Sequence, residues 1–89
     1  MSNTPAPIRE HLSRQNTNVR TAHARIEQVF YPGEGWLDIR DGRGYERHTW
    51  RAAIIAFITR GATHIAIGYD KPHQGGRVRA DFSLRELVA

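Results

Sequence analysis

The sequence predicts a small α+β domain: a mainly antiparallel sheet of four to five strands with one helix packed on one face, in the order β-β-(β)-α-β-β. Two periodicities carry this reading. Apolar residues recur every second position in several short stretches, the pattern of half-buried strands. In one stretch they recur with the 3.6-residue period of a one-faced helix. Clusters of Gly, Pro and Asp separate these stretches, as turns do. Eighty-nine residues hold one such domain and one modest core.

Residues 1–20 read as a flexible basic leader, and residues 21–89 as the α+β domain. The leader is Ser, Asn, Thr, Pro, Gln and Arg, with Ile8 and Leu12 its sizeable apolar residues up to about residue 18. Such a composition buries too little to offset its ordering entropy, and Pro5 and Pro7 oppose early regular structure. The four-residue spacing of Ile8 and Leu12 suits no more than a nascent helical turn.

From Thr21 the pattern changes. Ala22, Ala24, Ile26 and Phe30 alternate with His23, Arg25, Glu27 and Val29, which predicts a strand. Pro32-Gly33-Glu34-Gly35 is a turn, and Trp36 to Arg40 alternates again, so the two segments form a hairpin. Asp41-Gly42-Arg43-Gly44 is a second turn, with Tyr45 to His48 as a short third strand.

Trp50, Ala53, Ile54, Phe57 and Ile58 then define a helix over 49–60. Thr49 is placed to cap its start. Gly61 stands where a left-handed residue ends a helix. Thr63, Ile65, Ile67 and Tyr69 alternate with polar or small residues, as do Val78, Ala80, Phe82 and Leu84, giving two last strands around the loop Pro72 to Gly76. Arg85 to Ala89 reads as a terminal turn. Alternation puts Ile26, Leu37, Ile39, Ile65, Ile67, Val78 and Phe82 in the core. It puts His23, Arg25, Trp36, Asp38, Arg40, His64, Ala66, Arg77, Arg79 and Asp81 on the outer face.

Composition narrows the chemistry. There are twelve arginines and one lysine, a net charge of +4 and a pI near 10.3. Arginine forks onto phosphate, carboxylate and aromatic faces. The cations cluster as Arg40, Arg43 and Arg47, as Lys71, Arg77 and Arg79, and as Arg9, Arg14, Arg20 and Arg25 in and just after the leader. The leading reading is a small non-catalytic nucleic-acid-binding module, driven mostly by backbone contacts. In it Arg40, Arg43, Arg47, Lys71, Arg77 and Arg79 contact phosphate and Trp36 stacks a base. GC-rich codons produce the same arginine skew without any binding role, and Asp38 and Asp81 among the arginines also suit ordinary cross-strand ion pairs.

The alternative is a protein-interaction module. It would be a homodimer through an edge strand or the open face, or a small accessory or inhibitor protein of a mobile element that binds a larger host machine.

The absence of cysteine excludes disulfides and thiolate metal sites. His11, His23, His48, His64 and His73 lack the spacing that would fix two metal ligands on one element. Only a small nuclease or hydrolase using His48 or His73, near Tyr45-Glu46-Arg47, stands as an enzymatic alternative. Neither a dinucleotide fingerprint nor a phosphate-binding P-loop occurs, and no cofactor is expected. The longest apolar run, Ala52 to Ile58, is far shorter than the roughly 20 residues of a membrane helix. No secretory signal opens the chain, so a cytoplasmic location is the expectation.

Overall fold

The structure, a computed structural model, describes residues 4–18, 22–39, 45–46, 50–71 and 75–88. Its elements are α1 (Ala6–Arg14), β1 (Arg25–Tyr31), β2 (Gly35–Asp38), β3 (Tyr45–Glu46), α2 (Trp50–Thr59), β4 (His64–Lys71), β5 (Gly76–Ser83) and α3 (Leu84–Val88). The strands form one antiparallel sheet in the order β2-β1-β4-β5, and β3 pairs with β1 at Arg25 and Ile26. This is the α+β class with an antiparallel sheet. It carries three helices among the described residues, where the sequence reading has one.

The largest difference lies in the expected leader. Residues 6–14 form α1, whose Ile8 and Leu12 are completely buried. Two physical facts explain it. Prolines at Pro5 and Pro7 fall at the cap and first turn, where the missing N–H costs nothing and the fixed φ suits a helix. The two apolar side chains also lie one turn apart and insert together into the core.

Both longer helices end by the same device. Gly61, at φ +94°, follows α2, and Ala62 N–H bonds to Phe57 O while Gly61 N–H bonds to Ile58 O. Asn16, at φ +60°, follows α1, with Thr17 N–H to Leu12 O and Asn16 N–H to Ser13 O. Each is a Schellman closure, in which a left-handed residue lets two amides satisfy orphan carbonyls. Thr49 and the turn at 41–44 lie outside the described residues.

The β1–β2 hairpin turns on Pro32 and Gly33. Gly33 has φ +90°, and Glu34 N–H bonds to Tyr31 O at 3.0 Å, the arrangement of a type II turn. β1 begins at Arg25 rather than near Thr21, because His23 takes a left-handed φ of +49° and breaks the extended run.

A bulge between Ile26 and Gln28 then shifts the alternation of β1 by one. Ile26 and Val29 therefore point inward, and Phe30 turns to the opposite face. Three expected core residues are less covered than predicted. Leu37 is 39% exposed on the short edge strand β2, and Val78 and Ile39 only pack partly against the core. The terminal turn is α3, which buries Leu84 and Leu87.

Inward residues of the sheet (Ile26, Val29, Ile65, Ile67, Tyr69 and Phe82) join the buried residues of α1, α2 and α3 in one cluster. Trp50 and Ile54, fully buried, form the centre of the α2 stripe. The helices thus pack on one side of the sheet, and among the described residues no helix covers the other face.

Candidate interaction face

The registers arrange the open face in four rows. Asp70 pairs with Arg77. Arg25, Gly68 and Arg79 form the next row, then Asp38, Gln28, Ala66 and Asp81, then Trp36, Phe30, His64 and Ser83. The central strand β4 contributes only Ala66 and Gly68 to the two middle rows. These small residues let long side chains from neighbouring strands lie flat across the sheet, and Ala66 is 2% exposed beneath them. A Cβ at Gly68 would overlap the Glu27 carboxylate, which occupies that space.

Two arginines organise the surface. Arg77 donates from Nη1 to Asp70 Oδ1 at 2.9 Å, and from Nη2 to Glu27 Oε2 and to the His23 carbonyl, both at 3.1 Å. Arg79 donates from Nε to Asp81 Oδ1 at 2.8 Å and from Nη1 to Gln28 Oε1 at 2.5 Å. Gln28 in turn donates to Asp38 Oδ1 at 2.7 Å. The guanidinium of Arg79 also sits 4.5 Å from the centre of the Trp36 ring, a cation–π contact.

Trp36 meets Phe30 edge-on at 5.3 Å between ring centres, and Phe30 meets His64 at 5.9 Å. The face is therefore an aromatic and arginine cluster within a charge-balanced surround. Arg25, Arg77 and Arg79 are matched there by Glu27, Asp38, Asp70 and Asp81.

Not all the predicted phosphate contacts belong to this surface. Arg79 and Trp36 touch, and Arg77 lies on the same face. Lys71 does not: its position in β4 turns it to the helix side, where Nζ donates to Gln15 Oε1 at 2.9 Å. Arg40, Arg43 and Arg47 lie outside the described residues, as do His48 and His73. Phe30 and Gln28 belong to the face and are missing from the outer residues expected from the sequence, because the bulge that places them leaves no mark in the alternation. Glu27 joins them as the bulged residue, its carboxylate over Gly68.

The helix side differs in charge. Arg9, Arg14, Arg51, Arg60, Lys71 and Arg85 form no ion pair with a carboxylate among the described residues. Arg9 and Arg51 line one cavity of about 210 Å³ floored by Ile54 and Leu87. Thr4 also lines it, and its buried hydroxyl has no hydrogen-bond partner among the described residues.

Beside α1, His11 Nε2 lies 3.0 Å from the Tyr69 hydroxyl, with its ring edge-on to Tyr69 and Phe82. Burial holds the His11 pKa below its ordinary value, and the charges of Arg14 and Lys71 lower it further. Burial raises that of Tyr69.

Among the described residues no three His, Asp or Glu side chains are grouped to hold a metal, and no helix is long and apolar enough to cross a membrane. No protein-family description, curated protein or solved structure matches the chain.

Proposed function

We propose that this chain is a protein-interaction module that docks a partner protein on the open sheet face, centred on Trp36, Phe30, His64 and Arg79. One observation carries the reading. The described arginines whose partners are resolved on this face, Arg77 and Arg79, are already held by carboxylates of their own chain. Phosphate would have to displace Asp70, Glu27 or Asp81 and would exchange one anion for another. A protein partner needs no such exchange. It gains from desolvating a half-buried Trp and its neighbours within a polar rim, the composition of binding hot spots.

The test is affinity capture from the source organism, comparing wild type with Trp36→Ala. A specific protein retained at high salt by wild type and lost with Trp36→Ala is the expected result. Identical captured sets for both chains would overturn the reading.

A second reading is favoured by the opposite side of the molecule. Arg9 and Arg51 converge on one cavity, and Arg14 and Lys71 both bear on His11. This supports nucleic-acid binding through the helix layer and the basic loops instead of the sheet platform. Salt titration separates the two, since phosphate contacts lose affinity steeply with salt. In this reading Arg9→Ala with Arg51→Ala lowers the salt slope by about two units, and Trp36→Ala leaves it unchanged.

A further inference from the structure

We propose that a second copy of this chain pairs antiparallel along the outer edge of β5, about a two-fold axis at Ala80. This goes beyond the docking face, which such pairing leaves open in both copies.

β5 is a terminal strand of the sheet, and among the described residues nothing pairs with its outer side. It runs eight residues, Gly76–Ser83, without proline or bulge, so its charged residues Arg77, Arg79 and Asp81 are the devices that limit what can pair with it. Its backbone groups point in known directions. Leu84 N–H bonds to Thr63 O, one step beyond the His64–Ser83 pair. Antiparallel ladders alternate, so Val78, Ala80 and Phe82 also direct their amides to β4. Arg77, Arg79, Asp81 and Ser83 direct theirs outward, to the free edge.

Few registers are open to two such edges. Opposed residues must share a face, because a slip of one residue turns every side chain over. A two-fold at Arg79 opposes that arginine with its own copy, although it also sets Arg77 against Asp81 twice. One at Asp81 opposes two carboxylates with no opposite-charge pair beside them. A two-fold at Val78 sets Arg77 against Arg79 of the second copy. A two-fold at Ala80 creates no like-charge pair. It places Arg79 opposite Asp81 of the second copy, twice over, and Arg77 opposite Ser83.

Arg79 and Asp81 already pair along their own strand at 2.8 Å. In the structure the Arg79 guanidinium reaches back over Gln28 and Trp36. In the dimer it turns outward to the second copy's Asp81, and the four alternating charges close a ring over the axis. On the inner side Val78 opposes Phe82, and two small Ala80 side chains meet where non-hydrogen-bonded partners come closest. Both apolar layers then continue from one copy into the other. Roughly eight backbone hydrogen bonds join the copies.

The experiment is analytical ultracentrifugation from micromolar to submillimolar concentration, on wild type, Arg79→Asp, Asp81→Arg and an equimolar mixture of the two variants. Wild type is expected to approach twice the 10.2 kDa of one chain. Each reversal opposes like charges twice and weakens association roughly 10- to 30-fold. The mixture regains the wild-type affinity as a heterodimer, because one chain then presents two acids and the other two bases.

A wild type that stays at the mass of one chain overturns the proposal. So does association untouched by either reversal, or a mixture that fails to recover. If a variant loses its native circular dichroism, amide exchange of wild type decides the matter. The Arg79 and Asp81 amides must gain protection on concentration, and their indifference refutes the pairing. Trp36→Ala leaves the dimer intact, so failure of the docking reading and failure of this one are distinguishable.

Discussion

Replacing Leu12 by Ala tests whether α1 belongs to the fold or is a leader. Leu12 is fully buried and sits one turn from the equally buried Ile8. Removing its three terminal carbons costs their transfer energy plus a cavity, about 2–5 kcal/mol for sites of this kind. A domain of this length has a total stability of roughly 4–13 kcal/mol, so the change removes a large share of it. With each kcal/mol worth about 4–8 °C in a small domain, a loss near 3 kcal/mol lowers the Tm by roughly 12–24 °C. Urea unfolding followed by circular dichroism and Trp fluorescence measures this directly. Trp50, fully buried in the same cluster, reports on the core by its fluorescence. A shift below about 0.5 kcal/mol, the range of surface substitutions, would refute the reasoning and return residues 6–14 to the status of a leader.

Other perturbations probe separate parts of the structure. Gly61→Ala meets no atom within 4 Å, so its cost is backbone strain alone at φ +94°, about 1 kcal/mol, read from the same unfolding curves. Gly68→Ala collides first with the far end of the Glu27 side chain. It is expected to detach that carboxylate from Arg77 with a stability change under about 1 kcal/mol, and a double-mutant cycle between Glu27→Ala and Arg77→Ala should give a coupling that is equally small and fades with salt.

His11 makes stability depend on pH in a definite direction. Its folded pKa lies below the unfolded value near 6.5, so the unfolded chain binds the extra proton. Its contribution is complete above about pH 6.5 and is lost as the pH falls from there through the folded pKa. Denaturation midpoints at about pH 7.5 and about pH 5.5 should diverge less in His11→Gln than in wild type.

What the sequence revealed and concealed follows from the range of each interaction. The α2 stripe of Trp50, Ala53, Ile54 and Phe57 is a local pattern, and so is the alternation of β4 around Ile65 and Ile67. Both are legible because every residue needed to see them is nearby. Gly61 is legible for the same reason.

α1 is not, because its amphipathic content is two residues, Ile8 and Leu12. Their burial depends on a surface built by strands fifty residues further along. The face of Phe30 depends on a bulge at Glu27. That bulge is a property of β1 paired with β4 and not of β1 alone, so simple alternation assigns Phe30 to the wrong side. The candidate site inherits this limit. Trp36 and Arg79 were visible as exposed residues of separate strands. Their meeting requires the strand order β2-β1-β4-β5 and the small side chains of Ala66 and Gly68 between them.

The arginines accordingly divide into two physical populations. On the helix side, Arg14, Arg51, Arg60 and Arg85 stand without carboxylate partners among the described residues, and they retain a charge that salt or a polyanion can compete for. On the open face, Arg77 and Arg79 lie within 3.1 Å of carboxylates, so little uncompensated charge remains for a phosphate to neutralise. Counterion release, the main source of affinity for nucleic acids, is correspondingly small there.

The same pairing has the opposite consequence for a strand edge. Alternating Arg79 and Asp81 along β5 cannot attract a uniformly charged polymer, but it meets an antiparallel copy of itself without any like-charge pair in the register about Ala80, whereas those about Val78, Arg79 and Asp81 each set like charges against each other. Charge balance on this side of the molecule thus disfavours one class of partner by the same arrangement that selects another.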